Sequence, residues 1–150
     1  MIEIKEKICR QLKAQLELKA AEARQALAAL KESRNSETKS SAGDKYETGR
    51  AMVQMEMDKH EVQLSKTQSL IHELSRIDIE RPYEKAETGS LVLTTQGNYF
   101  ISVGLGKLEV GEETVYVISL ASPVGMLLKG KRAGDTVQFQ GKDFTIKEIL

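Results

Sequence analysis

Residues 53–74 read Val-Gln-Met-Glu-Met-Asp-Lys-His-Glu-Val-Gln-Leu-Ser-Lys-Thr-Gln-Ser-Leu-Ile-His-Glu-Leu. Val53, Met57, His60, Leu64, Thr67, Ile71 and Leu74 alternate steps of four and three, the spacing of a heptad seam along one helix face. Carried backwards, the stripe passes through Arg50 and Tyr46. It predicts a helix from about residue 44 to about 76. A matching stripe lies upstream, where Ile8, Leu12, Leu16, Ala20, Ala23, Leu27 and Leu30 predict a helix over about 2–33. The stretch 33–43 between them is Ser-Arg-Asn-Ser-Glu-Thr-Lys-Ser-Ser-Ala-Gly, which reads as a polar loop. Each helix holds roughly 32 residues and so extends about 48 Å. Each stripe is too narrow to bury against a globule and suits burial against the other. The expectation is an antiparallel coiled-coil hairpin with an exposed polar tip at about 34–47. A rod of this kind has no room for a pocket, so any chemistry it has belongs at the tip.

Beyond the second stripe the composition changes. Residues 81–150 hold both prolines, nine of the eleven glycines and six of the seven aromatic residues. Helical periodicity stops near 77–84, where Arg81-Pro82 breaks it. The expected domains are therefore 1–78, the hairpin, and 79–150, a small antiparallel sheet with one short helix. The fold class is α+β. Strands are predicted at 90–95, 99–103, 114–119, 137–139 and 144–146, with a turn at Gln96-Gly97-Asn98 and a closing hairpin around Gly141-Lys142. Ser122-Pro123 reads as a helix start, with Ser122 at the cap and Pro123 at the first helical position. That helix should stop at Gly130.

Composition narrows the function. The chain has 150 residues and balances 22 basic against 22 acidic side chains, so nothing in its net charge favours tight duplex DNA binding. One cysteine excludes an internal disulfide and a multi-cysteine zinc framework, and favours a reducing compartment. No apolar run approaches the ~18 residues of a membrane span, and the first residues lack a signal-peptide core. The chain reads as soluble, cytoplasmic and monomeric, with no membrane partner and no tightly bound cofactor.

Residues 118–137 read Ile-Ser-Leu-Ala-Ser-Pro-Val-Gly-Met-Leu-Leu-Lys-Gly-Lys-Arg-Ala-Gly-Asp-Thr-Val. This resembles the signature of the Gre transcript-cleavage factors, in which Ser-Pro, a small helix, Gly-Lys and Gly-Asp recur in this order and spacing. The residue match covers about twenty positions; the upstream hairpin extends the likeness to the whole chain in architecture. The resemblance implies an FKBP-like C-terminal domain that docks on the rim of the secondary channel of bacterial RNA polymerase. It also implies a coiled coil that enters the channel and brings two tip acids near the active-site magnesium. Such a factor is not itself an enzyme. It meets nucleic acid only through the polymerase complex, and supplies at most ligands to a magnesium shared with polymerase. Beside the signature, Ser122, Pro123, Lys129, Lys131 and Arg132 form the expected partner-binding surface, the last three being the basic cluster of this half.

At the tip, the family pattern is Asp-x-x-Glu followed directly by Asn-Ala-Glu-Tyr. Here Asp44-Lys45-Tyr46-Glu47 supplies the two acids, but Thr48-Gly49-Arg50 follows. Aligning Tyr46 with the family tyrosine instead puts Lys39 and Ala42 where the acids should be. Both alignments stay open. Physically, carboxylates three apart share a helix face. Asp44 and Glu47 could hold a second magnesium weakly, leave it water ligands, and assist polymerase in phosphodiester cleavage. Equally, Asp44 suits a helix cap and Glu47 completes a capping box. The two roles are compatible.

His60 falls on the seam as a structural residue, and His72 off it. Cys9 reads as a small apolar residue. Met52, Met55 and Met57 read as adaptable packing. Within the Gre-like reading the chain either stimulates cleavage or occupies the channel without it. The other classes are an FKBP-type prolyl isomerase and a coiled-coil interaction module unrelated to polymerase. The isomerase would need an aromatic-lined cleft, and the Tyr and Phe here fall mostly on strand patterns.

Overall fold

The computed structural model describes residues 2–39 and 43–150, with side chains at 3–35 and from 48 onward. Two long helices come first, α1 (Ile2–Lys39) and α2 (Gly43–Ser75). Their residues are mostly strong helix formers, with no proline and two glycines, Gly43 opening α2 and Gly49 within it. The expected loop over 33–43 is mostly helix, because α1 runs on to Lys39. The cause is visible in the stripe. Arg34 lies four residues beyond Leu30, is half-buried, and donates from Nη1 to Gln54 Oε1 at 3.0 Å. A polar run that keeps the helical period and finds a partner stays helical.

Compactness divides the chain into two units, Lys13–His72 and the combination of Met1–Leu12 with Glu73–Leu150. The first unit contains only parts of α1 and α2, so burial there is mutual. Leu16, Ala20 and Ala23 of α1 and Met57 and Thr67 of α2 are buried. Leu27, Leu30, Val53, His60, Leu64 and Ile71 are half-buried. Arg34 meets Gln54, while Ala20 shares a cleft with Gln68 and Ile71, so the helices run antiparallel. The seam positions are those of the two stripes. The backward extension fails at Arg50, which is exposed, and Tyr46 lies outside the described side chains. Met52 and Met55 are 64% and 71% exposed, so only Met57 of the three methionines packs inward. Thr67 satisfies its hydroxyl on Gln63 O at 2.9 Å, as buried helical threonines do.

The second unit is built on a six-stranded sheet. Its strands are β1 (Leu91–Thr94), β2 (Gly97–Ile101), β3 (Gly106–Val110), β4 (Glu113–Ile118), β5 (Thr136–Phe139) and β6 (Lys142–Ile149), with α3 (Pro123–Leu128) between β4 and β5. The spatial order is β3-β4-β2-β1-β6-β5. The sheet is mixed rather than antiparallel throughout, since β2 and β4 pair in parallel, Asn98 with Val115 through Ile101 with Ile118. The chain leaves β2, lays down β3 one place out, and turns back so that β4 fills the gap. The first turn is Thr95-Gln96, one residue earlier than expected, with Gly97 already in β2. The closing hairpin turns on Gln140 and Gly141, both at positive φ, as a tight two-residue hairpin requires.

Register assigns the two faces. Leu91, Phe100, Leu108, Val110, Val115 and Val117 share one, and Ile4 and Lys7 of α1 share a cleft with Leu91 and Val110 there. Val92, Tyr99, Ile101, Phe144 and Ile146 share the other and pack with Leu128 of α3. β3 is an edge strand, and the Gln11 side chain donates to its Glu109 carbonyl at 2.7 Å. No helix of the described residues is long and apolar enough to cross a membrane.

One charge is buried in this unit. Lys5, in the first turn of α1, is 2% exposed, and desolvation pulls its ammonium below the ordinary lysine pKa. The folded state therefore binds fewer protons than the unfolded state between that lowered value and the ordinary one. Stability should rise with pH across this window. Burial pushes Cys9 and Tyr83 the other way, upward, so the test is a difference. The unfolding free energy of the wild type, minus that of Lys5→Met, should climb as pH rises toward the ordinary lysine pKa. A flat difference would show that Lys5 is solvated in the folded state.

Candidate functional site

The residues of 122–135 mostly shape backbone. Ser122 caps α3 with φ −70 and ψ 157; its hydroxyl accepts from Gly125 N at 3.0 Å and donates to Ser119 O at 2.7 Å. Pro123 opens the helix, where its missing N–H costs nothing. Gly125 is buried against the preceding loop, and a Cβ there would lie 2.1 Å from Ser119 O. Lys129 ends the helix, its N–H on Gly125 O at 2.9 Å. Gly130 and Gly134 take positive φ, and Asp135 Oδ2 accepts from Arg132 N at 2.8 Å. Main-chain bonds from Gly130 N to Ala86 O and from Ala86 N to Lys131 O tie the segment to the strand-like stretch at 85–86.

That framework presents a surface. Pro123, Lys129 and Lys131 are exposed, as are Met126 at 65% and Leu127 at 36%. Arg132 is exposed too, but its Nη1 lies 3.5 Å from Glu84 Oε2, which offsets its charge. No ion pair engages Lys129 or Lys131 among the described residues. The segment thus exposes two apolar side chains and two ammonium groups within six residues of sequence, a combination suited to an amphipathic partner with acidic residues. Met126 and Leu127 are absent from the surface expected from sequence. Helical geometry could have found them: with Leu128 facing the core, its two predecessors on a short helix cannot.

One similar solved structure is that of the transcription factor Gfh1. The identity is 22% over 94% of this chain and 92% of that one, and the TM-score is 0.36. No family model matches the chain, and no curated protein does.

The hairpin tip carries the other expected residues. α2 begins at Gly43, so Asp44 stands inside the first turn rather than at the cap, with Glu47 one turn on. A carboxylate in a first turn still favours the helix dipole. The side chains of Asp44 and Glu47 lie outside the described residues, as do those of Lys39 and Ala42 in the alternative alignment. Elsewhere, His60 is half-buried on the seam with Nδ1 buried and unpartnered, and Nε2 is 4.0 Å from Glu56. Cys9 is half-buried, and burial raises its thiol pKa, which suits a packing role over nucleophilic chemistry.

Proposed function

We propose that the chain is an RNA polymerase-binding elongation factor of Gre type, an accessory protein rather than an enzyme. The α3 surface docks on the rim of the secondary channel, and the hairpin enters it as a monomer. The observation that carries this reading is the exposed set Met126, Leu127, Lys129 and Lys131, on and just after a helix whose Ser122 cap and Pro123 start match the Ser-Pro of the Gre-like signature. The prolyl isomerase reading is less favoured, because Tyr99 and Phe144 are 8% and 6% exposed and are spent on the core.

The tip favours occupancy of the channel over stimulated cleavage. The family neighbours of the acids are missing, and Lys45 puts a positive charge between Asp44 and Glu47. Any magnesium at these carboxylates is shared with polymerase. Binding to core polymerase should weaken at least about tenfold, some 1.4 kcal/mol, in Met126→Asp with Lys129→Glu, at unchanged thermal stability. Unchanged affinity at low salt places the docking surface elsewhere. In the same assay, wild type should bind without releasing short RNA 3′ fragments from backtracked complexes. If fragments are released and Asp44→Asn abolishes the release while binding persists, the acids hold the metal. Asparagine suits helix starts, so the variant removes mainly the charge.

A further inference from the structure

α2 carries two stripes of heptad spacing, and the hairpin uses only one of them. The stripe from Val53 to Leu74 packs on α1. The other is Met52, Met55, Lys59, Val62 and Lys66, again in steps of three and four. At roughly 100° per residue, it falls on the side of α2 opposite the seam. Burial agrees with that placement. Met52 and Met55 stand out from the helix, Val62 is 66% exposed, and both lysines are exposed. Single apolar residues on a surface are ordinary, whereas a row that repeats with the helix is a face. This face is narrow, the width of a coiled-coil seam, so it suits one further helix rather than a sheet or a globule.

Charge selects among helices. Lys59 and Lys66 stand one heptad apart, and neither forms an ion pair among the described residues. Of the acids nearest Lys59, Glu56 lies 4.0 Å from His60 Nε2, and Asp58 Oδ1 accepts from Gln54 Nε2 at 2.9 Å. Lys66 is flanked by Gln63 and Ser65, which carry no charge. Two copies of this chain that met through the stripe, in either direction, would set lysine against lysine. We propose that the stripe binds an amphipathic helix of another protein, one whose apolar seam is edged with carboxylates. The unbranched, polarizable methionines adapt to the seam of that helix. The lysine stems cover apolar surface while their ammonium groups reach the acids at its edge. The stripe belongs to the unit Lys13–His72 and the Met126–Lys131 surface to the other, so the two contacts are independent.

The probe is a synthetic helix of three heptads with leucine along its seam and glutamate at the edges, where mutual repulsion keeps it from pairing with itself. Its counterpart carries lysine at the same edges. NMR of the methionine methyl groups is the readout. The glutamate peptide should shift Met52 and Met55 saturably at submillimolar concentration, leave Met126 in place, and lose affinity as salt is added. The lysine peptide should bind at least tenfold more weakly. Lys59→Glu with Lys66→Glu changes two exposed positions and should reverse the preference. Equal binding of the two peptides, no shift with either, a preference that survives the double reversal, or a shift of Met126 along with the stripe would each overturn the proposal. So would shifts on concentrating the protein alone, which assign the stripe to a second copy, or shifts with phosphatidylserine vesicles as large as those with the glutamate peptide.

Discussion

Gly125→Ala is expected to unseat α3 and destabilise the sheet-bearing unit by about 3 kcal/mol, the upper end of the usual cost of overpacking a packed site. Elsewhere in a helix the same change is favourable by up to ~1 kcal/mol, so the expected sign is reversed. The added Cβ would stand 2.1 Å from Ser119 O, 2.8 Å from Ser122 Oγ and 3.0 Å from Leu120 Cα. Two of those three atoms are backbone, which has no rotamer to escape into. The helix must move away, and the Ser122 cap and the buried Leu128 move with it. At ~4–8 °C per kcal/mol for a small domain, the midpoint should drop by more than about 10 °C. Calorimetry reads it directly; a neutral or stabilising result would mean that α3 does not rest on the 119–120 backbone.

The second large effect lies in the hairpin. Leu16 is 1% exposed, and its neighbours along the seam, Ala20 and Ala23, are too small to close over a vacancy. Leu16→Ala should cost about 3–4 kcal/mol, near the middle of the range for buried leucines. Leu64 lies on the same seam but is only half-buried, and its truncation should cost about half as much. Chemical denaturation of both variants tests the seam as a graded object. Equal losses would contradict the burial pattern.

The hairpin was legible because its information is local. A heptad stripe such as Val53 to Leu74 repeats one decision many times, and each repetition confirms the last. The same logic, applied further, would have carried α1 through Arg34 and marked Lys5, which sits three residues before Ile8 on the stripe. What masked Lys5 was its chemistry, since Glu3-Ile4-Lys5-Glu6-Lys7 looks like any solvated helix start. The sheet was legible only in pieces. β3 alternates Lys107, Leu108, Glu109 and Val110, and its charged half belongs to an edge strand that one-sided burial permits. The parallel pairing of β2 with β4 has no local signature at all, because strand direction is decided by what the chain does between them. The docking surface was half visible. Residue type pointed to Lys129 and Lys131, but the exposure of Met126 and Leu127 depends on which face Leu128 chooses.

The contact from Lys5 to Leu150 joins positions 145 apart, and that from Gln11 to Glu109 joins positions 98 apart. The sheet-bearing unit is thus assembled from stretches on both sides of the hairpin, 1–12 and 73–150. On the ribosome, residues 1–12 wait while the strands they pack with are synthesised. Residues 13–72, with contacts inside one hairpin, can close long before then, whereas the edge of β3 remains uncovered until Gln11 reaches it. Nascent-chain proteolysis should find the hairpin protected early and the sheet protected only once β6 has emerged. The hairpin acts in this sense as the chain's own holding device, returning the first helical turns to the place where the final strand will arrive.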